Sequence, residues 1–381
     1  MSTSTPSLVK DDIRKVRAGE HRVLTLPPLA PDALALARMA EELHEHQEKL
    51  LVVCADSIDV VRLSQEIPWF DPTLNVVTFP DWETLPYDVL SPQESIISER
   101  LETLYRLTQS KSSVDVVLVS AVTVAQRLAP VSFVGGATFF FSVGDKLDIE
   151  GLRQSLVMAG YSAVQQVLAA GEFAVRGSLI DVFPMGSSHP FRLDLFDDEI
   201  DSIRWFDIET QRSMEEVDRI RLLPGHEFPV NETELSDFRQ RWRTRFTGDP
   251  AKSLIYRDIG KGVLPPGIEY YFPLFFDETA TFADYLPEST KVVTFGDIQA
   301  TLSAFMRDTT SRAAMLAGDV ARPPMSPDEL WLNAEAFFLS LEKFARFSFK
   351  TPDAKAVARQ THLKTVTVCL LYTSDAADDR I

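Results

Sequence analysis

Several residue types and patterns on which other classes of protein depend are scarce or missing in this sequence. The 381 residues include only two cysteines, Cys54 and Cys369, so a disulfide framework is excluded. Cys54 lies in the apolar run KLLVVCAD and is predicted to be a small buried side chain. No apolar run approaches the roughly 20 residues of a membrane-spanning helix, and the opening segment MSTSTPSLVKDDIRKVRAGE lacks the apolar centre of a signal peptide. We therefore expect a cytoplasmic protein that does not contact a membrane.

Basic charge is also scarce. The chain has 38 Lys and Arg against 56 Asp and Glu, which gives a formal net charge of -18. A broad surface that binds nucleic-acid phosphates needs the opposite sign, so indiscriminate DNA binding is not expected, although a local basic patch is compatible with the composition. The hydrophobic and charged fractions, 45% and 25%, are typical of a globular protein, and the length predicts two or three domains.

The pattern that marks a nucleotide-hydrolysing P-loop, G-x-x-x-x-G-K-[ST], is absent. The one Gly-Lys pair, Gly260-Lys261, is followed by Gly262 and has no glycine five residues before it. The segment LTLPPLAPDALALA (24–37), where a P-loop would open the first domain, contains neither Gly nor Lys. Asp56 follows an apolar run as a Walker B carboxylate would, but without a phosphate-binding loop it is predicted to be a helix cap or turn residue.

The histidines predict no metal site. His44 and His46 lie two apart on a predicted helix and point in different directions, and no cysteine or carboxylate cluster has ligand spacing. All six are interpreted as surface residues: His21, His44, His46, His189, His226 and His362. The nucleophile motif G-x-S-x-G is also absent, so neither a metal ion nor a catalytic residue is expected.

The first third of the chain alternates between helical and strand patterns. Amphipathic stretches at helical spacing alternate with continuous apolar runs of strand length, the helices at 31–47, 57–70 and 95–107 and the strands at 50–56, 75–80 and 114–121. Strands that are apolar on both faces and separated by helices are typical of a parallel sheet, so the predicted fold class is α/β.

The pattern changes after about residue 137. A short helical stretch is followed by strand-like segments, with Asp197-Asp198 as a hairpin turn, and we interpret this α+β region as a separate domain inserted into the first. From about residue 225 the α/β pattern returns and includes the apolar strand KVVTFGDI. The aromatic segment 262–276 is predicted to be an ordered loop and 329–344 a single helix with an apolar stripe.

The most informative segment for function is PFRLDLFDDEIDSIRWFD (190–207). Strand alternation puts one set of residues in the core and the other on the solvent face, the first being Phe191, Leu193 and Leu195 and the second Arg192, Asp194 and Phe196. Arg176, in GEFAVRG, belongs to the neighbouring strand or its turn. Two arginines around an exposed aromatic ring are typical of an interface hot spot. The alternative, which the pattern alone favours, is a surface ion pair, Arg192–Asp194, with Phe196 covering the hairpin.

Together, these segments resemble the amino-terminal region of the bacterial transcription-repair coupling factor (Mfd) family. The similarity runs in order from about residue 15 to about 355. It is carried by DWETLPYD (81–88), SERLETLYRL (98–107), GEFAVRGSLIDVFPMGS (171–187), PFRLDLFDDEIDSIRWFD (190–207) and GIEYYFPLFF (267–276).

The resemblance implies both a fold and a function. It implies a UvrB-like, degenerate helicase-like α/β domain, of P-loop type, split by an inserted UvrA-binding domain. It places the UvrA contact on Arg176, Arg192 and Phe196, and so favours the interface over the ion pair. Such a module recruits UvrA to lesion-stalled RNA polymerase in transcription-coupled nucleotide excision repair and has no enzyme activity of its own. The alternative is an ATP-using helicase fragment of the UvrB type, against which the missing P-loop lysine argues.

The resemblance also implies partners that this chain does not bind itself. The ATP-dependent DNA translocase motor and the RNA-polymerase-binding domain of the family would begin beyond residue 381, so ATP, magnesium and double-stranded DNA are assigned to those domains. We expect no cofactor in this chain. The final segment, CLLYTSDAADDRI, continues no pattern before it and is read as a cloning or sequencing artefact. The predicted divisions are a flexible amino terminus (1–14), domain 1a (15–137), the inserted domain 2 (138–224), domain 1b (225–350), a linker (351–368) and the artefact (369–381).

Overall fold

A computed structural model describes residues 13–25, 31–109 and 112–350 of the chain. The predicted linker and the predicted artefact lie outside the described residues. Of the predicted flexible amino terminus, only Ile13 and Arg14 are described, and they begin a 3-10 helix, Ile13–Lys15, in which Ile13 is buried.

Fourteen strands are present in the described residues. They are β1 (His21–Thr25), β2 (Leu50–Cys54), β3 (Val76–Phe79), β4 (Val116–Ser120), β5 (Phe139–Ser142), β6 (Ser162–Ala163), β7 (Glu172–Arg176), β8 (Leu179–Val182), β9 (Phe191–Phe196), β10 (Glu199–Phe206), β11 (Ser213–Glu216), β12 (Arg219–Leu222), β13 (Lys291–Phe295) and β14 (Ala345–Lys350).

Eleven α-helices accompany them in the same described residues. They are α1 (Asp32–His44), α2 (Ser57–Phe70), α3 (Glu94–Thr108), α4 (Ala121–Val124), α5 (Val131–Gly136), α6 (Ile149–Met158), α7 (Glu232–Arg245), α8 (Leu254–Ile259), α9 (Ile298–Leu316), α10 (Pro327–Leu330) and α11 (Ala334–Ser340). Further 3-10 helices span Pro250–Lys252, Ile268–Phe275 and Phe282–Tyr285. None of the helices in the described ranges is both long and apolar enough to cross a membrane.

The first sheet has six parallel strands in the order β1-β14-β13-β2-β4-β3. Strand β2 is buried along its whole length, as expected of a central parallel strand that is covered on both faces. The predicted α/β class is confirmed by this sheet. Cys54 at the end of β2 is fully buried, as predicted, and burial raises its pKa to about 12.

The second sheet also has six strands, in the order β11-β10-β9-β8-β7-β6, and is antiparallel except between β6 and β7. All its strands lie between β4 and β13 in sequence. The strands on either side of them, β5 and β12, pair with each other as an antiparallel ribbon. The chain therefore enters and leaves the second sheet at one place.

Several contacts join the second sheet and its flanking ribbon to α3 of the first. The backbone N–H of Gly186 donates to Ser98 Oγ (2.8 Å), and Arg221 of β12 pairs with Glu102. One apolar cluster includes Val53 and Val119 from the first sheet and Ile180 and Leu193 from the second. The two sheets are therefore packed together through a common core.

Most of the predicted helices and strands are present, but two are wrong. Residues 262–276 are not a loop throughout, because Ile268–Phe275 form a buried 3-10 helix. Residues 329–344 are not one helix but α10 and α11, separated by an extended segment in which Trp331 pairs with Gln126. The apolar stripe read there as helical arises partly from extended residues that are buried between two short helices.

Candidate protein-binding face

The sequence-predicted site residues lie on three neighbouring strands of the second sheet. Arg176 ends β7, and Arg192 and Phe196 belong to β9, with β8 between the two strands. Asp181 of β8 stands directly opposite Arg192. Because side chains alternate along a strand, Asp181, Arg192 and Phe196 share one face, and Leu193 and Leu195 are buried on the other. The predicted alternation of β9 is confirmed.

Phe196 is the most open of the three predicted residues. Its ring is 78% exposed at the end of β9. The next residue, Asp197, has a φ of 60°, a left-handed conformation that Asp tolerates in tight turns, and Glu199 pairs opposite Phe196. The predicted hairpin turn at Asp197-Asp198 is confirmed, and it holds a large apolar ring in solvent beyond the last buried position of the strand.

Arg192 is not a solvent-facing residue, which corrects the sequence prediction. Its side chain is only 20% exposed. Its Nε donates to Asp181 Oδ1 (2.6 Å) and its Nη2 to Asp181 Oδ2 (2.9 Å), and its guanidinium lies 4.9 Å from the ring centre of Phe206. The hydrogen bond to Asp181 raises the pKa of Arg192. The alternative pair, Arg192–Asp194, also named the wrong partner, because the cross-strand neighbour on β8 takes both donors.

Arg176 combines a bond to Asp181 with exposure. Its Nη2 donates to Asp181 Oδ2 (3.1 Å), and half of the side chain, 51%, remains exposed. Asp181 itself is 2% exposed. The structure therefore brings the two predicted arginines together on one buried carboxylate.

This face of the second sheet, which we call the Phe196 face (Arg176, Asp181, Arg192 and Phe196), is covered at one end and open at the other. At the covered end, a small buried apolar cluster is formed by Val167 together with Ala174, Phe183 and Phe206 from the strands and their ends. Arg192 packs against Phe206 of that cluster, while Phe196 and Arg176 lie towards the open end. The arrangement presents an apolar ring and a partly free guanidinium on rigid strands, which is the chemistry of a protein-binding surface.

Asp181 was missed in the sequence analysis. The signal was present, because in SLIDVFP the carboxylate alternates with two buried residues, Ile180 and Val182. That alternation puts a charged side chain on the face opposite the core. Identifying Asp181 as the partner of Arg192 required knowing that β8 lies beside β9 and in which register, which the sequence alone did not provide.

The remaining predicted residues have structural positions. Asp56 caps α2 by accepting from the N–H of Ile58 (2.9 Å), as predicted. The prediction of a surface position is wrong for His226, which is half-buried. His226 stacks on Phe228, and burial lowers its pKa to about 4. His44 is exposed, as predicted; its Nδ1 lies 2.7 Å from Asp115 Oδ1, and this hydrogen bond raises the pKa of His44. Within the described ranges, no three His, Cys, Asp or Glu side chains are grouped so that they could hold a metal ion.

Comparison with known proteins gives the family of the region that contains this face. The UvrB interaction domain matches residues 139–228. The chain is 42% identical to the transcription-repair-coupling factor of Haemophilus influenzae over 347 residues. This matched stretch is 90% of this chain and 30% of that protein. The factor of Escherichia coli is 41% identical over 91% of this chain and 30% of its own length. The factor of Bacillus subtilis is 27% identical over 74% of this chain and 25% of its own length. The chain thus spans about 30% of the length of the two relatives with 42% and 41% identity.

Proposed function

Since the chain belongs with the transcription-repair-coupling factors over nine-tenths of its own length, we propose that it recruits UvrA through the Phe196 face. The observation that carries the proposal is that Phe196 is exposed and Arg176 is half-exposed on the same face of the second sheet, inside the region that matches the UvrB interaction domain. A ring that is 78% exposed loses its unfavourable contact with water when a partner covers it. Arg176 supplies donors for a carboxylate or a carbonyl of a partner that covers the same face.

The proposed architecture is a UvrB-like, helicase-like domain that is split by a UvrA-binding domain. The second sheet supports this division because its strands are contiguous in sequence and the β5–β12 ribbon closes its entry and exit. The domain boundaries near residues 138 and 224 remain predictions, as does the helicase-like character of the first sheet.

We also propose that this chain neither binds nor hydrolyses ATP. In addition to the missing P-loop sequence, the first turn of α1 carries an acidic residue, Asp32, whose carboxylate accepts two hydrogen bonds from Arg62 (2.8 and 2.9 Å). A helix start that binds phosphate offers positive charge and free N–H groups, whereas Asp32 puts a carboxylate there. DNA translocation, RNA-polymerase binding and the use of ATP and magnesium are proposed for the parts of the relatives that this chain does not span.

A nucleotide titration separates this proposal from the UvrB-type helicase alternative. The chain at high concentration is titrated with ATP and magnesium, and its phosphate release is measured with and without single-stranded DNA. We expect no saturable binding and no hydrolysis above buffer. Saturable binding that is lost in an Asp56→Asn variant would favour the helicase alternative, since Asp56 is the residue that resembles a Walker B carboxylate.

UvrA binding is tested with the whole chain and three single variants: Arg176→Ala, Arg192→Ala and Phe196→Ala. We expect each variant to weaken binding by at least about thirtyfold, which corresponds to about 2 kcal/mol at the centre of an interface. Binding of the wild-type chain should also weaken as salt is raised, because the arginines are charged. Wild-type affinity in all three variants would refute the proposed site.

A further inference from the structure

We infer that Asp181 is a positioning residue for partner binding: it holds Arg176 and Arg192 in place and does not itself contact the partner. This inference rests on the proposed function, because it concerns how the same face is held ready for UvrA. It adds to the three predicted contact residues a fourth residue that the sequence analysis did not identify.

The first observation is that Asp181 is inaccessible yet fully engaged. The residue is 2% exposed, and its two carboxylate oxygens accept one hydrogen bond from Arg176 and two from Arg192. A buried carboxylate that is paired by two guanidiniums fixes the positions of both, because moving either one leaves a buried charge less compensated. A partner protein therefore does not reach the carboxylate itself.

The second observation is that the two arginines are not equivalent. Arg192 donates to Asp181 through Nε and Nη2, and to the carbonyl oxygen of Gln211 through Nη1 (3.2 Å). All three nitrogens of that guanidinium already have acceptors. Arg176 engages Asp181 through Nη2 and leaves much of its guanidinium in solvent. Arg192 therefore acts mainly as a support that keeps Asp181 in place, and Arg176 is the arginine that reaches the partner.

Simple charge attraction and positioning predict opposite outcomes for the variant Asp181→Asn. Removing a negative charge between two arginines makes the face more positive, so attraction alone would strengthen binding to an acidic partner surface. Positioning predicts the reverse. The neutral amide holds the two guanidiniums less firmly, so we expect about tenfold weaker UvrA binding.

The experiment is a UvrA titration of the whole chain carrying Asp181→Asn, with Asp194→Asn as the matched control. Asp194 lies on the same face of β9, and neither arginine is hydrogen-bonded to it in the described structure. Combining Asp181→Asn with Arg176→Ala completes a double-mutant cycle. If Asp181 has a purely structural role, Arg176→Ala weakens UvrA binding by the same factor in the wild-type and the Asp181→Asn chains. If Asp181 positions Arg176, that factor is at least threefold smaller in the Asp181→Asn chain.

Unchanged or tighter binding of Asp181→Asn, or an unchanged cost of Arg176→Ala in the cycle, would overturn the inference. If Asp181→Asn does not fold, Arg192→Lys replaces it, because lysine keeps the charge but cannot make the two-point contact with Asp181; wild-type binding by that variant would also overturn the inference. Phe196→Ala in the same series distinguishes failure of the proposed UvrA-binding function from failure of the inference about Asp181. If Phe196→Ala binds normally the proposed function fails, and if only the Asp181 results fail the face stands without this support.

Discussion

Two clusters in this molecule are built from the same kinds of side chain and differ in where they lie. The first, the Arg100 cluster, joins α3 to the segment after β12. Arg100 is fully buried, with its Nε donating to Glu227 Oε1 (2.9 Å), and Trp82 donates to Glu227 Oε2 (2.8 Å). The Arg100 guanidinium lies 4.2 Å from the ring centre of Phe79.

The Phe196 face repeats this chemistry at the surface. It too joins arginine to a buried carboxylate beside aromatic rings, through Arg192, Asp181 and Phe206. The difference is that its outer members, Arg176 and Phe196, are 51% and 78% exposed, whereas Trp82 is 5% exposed. Residue types alone therefore do not distinguish a cluster that stabilises the core from a binding site. The distinction depends on whether the cluster lies in the core or at the open end of a sheet.

The largest expected effect is in the buried cluster. Arg100→Ala should destabilise the chain by about 3–5 kcal/mol, because it leaves the charge of Glu227 buried without its partner. The measurement is the free energy of unfolding in denaturant, with Arg38→Ala as the control, since Arg38 pairs with Glu41 while 54% exposed. A loss of under about 1 kcal/mol, no larger than for an exposed pair, would show that the Arg100 cluster does not stabilise the core.

The next effect is a pH dependence of stability, which we expect from another buried carboxyl group outside the Phe196 face. Glu269, 8% exposed, accepts from Ser91 Oγ, and burial raises its pKa from 4.5 to about 7. A raised carboxyl pKa means that the folded chain holds more protons than the unfolded chain between pH 4.5 and 7. Stability from this group is therefore complete below pH 4.5 and is lost as pH rises to about 7.

This pH dependence is measured as the difference in unfolding free energy between the wild-type chain and Glu269→Gln. The glutamine cannot ionise, and other titrating groups, His226 among them, are common to both chains and cancel. Between pH 4.5 and 7, we expect the wild-type chain to lose on the order of 3 kcal/mol of unfolding free energy relative to Glu269→Gln, at about 1.4 kcal/mol per pKa unit. A difference that stays flat with pH would mean that Glu269 titrates normally.

A smaller effect tests the two arginines of the Phe196 face against each other. Arg192→Ala should cost about 1–3 kcal/mol of stability, because it removes two of the hydrogen bonds to a buried carboxylate. Arg176→Ala should cost less, no more than about 1 kcal/mol, because it removes one hydrogen bond from a half-exposed side chain and leaves Asp181 paired with Arg192. Equal costs from thermal melts of the two variants would contradict the division into support and contact.

Much of the fold follows from local patterns in the sequence. The fully apolar run of β2 and the capping position of Asp56 specify their elements without help from distant residues. The errors occur where distant residues decide. The helix predicted at 329–344 is interrupted because Trp331 pairs with Gln126, some 200 positions away by sequence number. A stripe of apolar residues does not reveal such a pairing.

The candidate site shows the same division. Alternation in β9 placed Phe196 on the open side of the sheet, which is a local property. The partner of Arg192 depended on which strand lies beside β9, and that is settled by the folding of the whole second sheet. Burial of Asp181 could likewise not be read from its own segment, because the residues that enclose it come from neighbouring strands.

The smallest expected effect on stability is also the clearest test of the central claim. Phe196→Ala removes an aromatic ring that is 78% exposed, and Trp69→Ala, a control on α2, removes one that is 75% exposed. Both changes should alter the free energy of unfolding by about 0.5 kcal/mol or less, since exposed side chains contribute little to packing.

The decisive measurement is the dissociation constant of UvrA for these two variants beside the wild-type chain, with melts on the same preparations. The account predicts at least about thirtyfold weaker binding for Phe196→Ala, wild-type binding for Trp69→Ala, and unchanged melting midpoints for both. Wild-type affinity in Phe196→Ala, or an equal loss in Trp69→Ala, would contradict the claim that this chain meets UvrA through the open end of its second sheet.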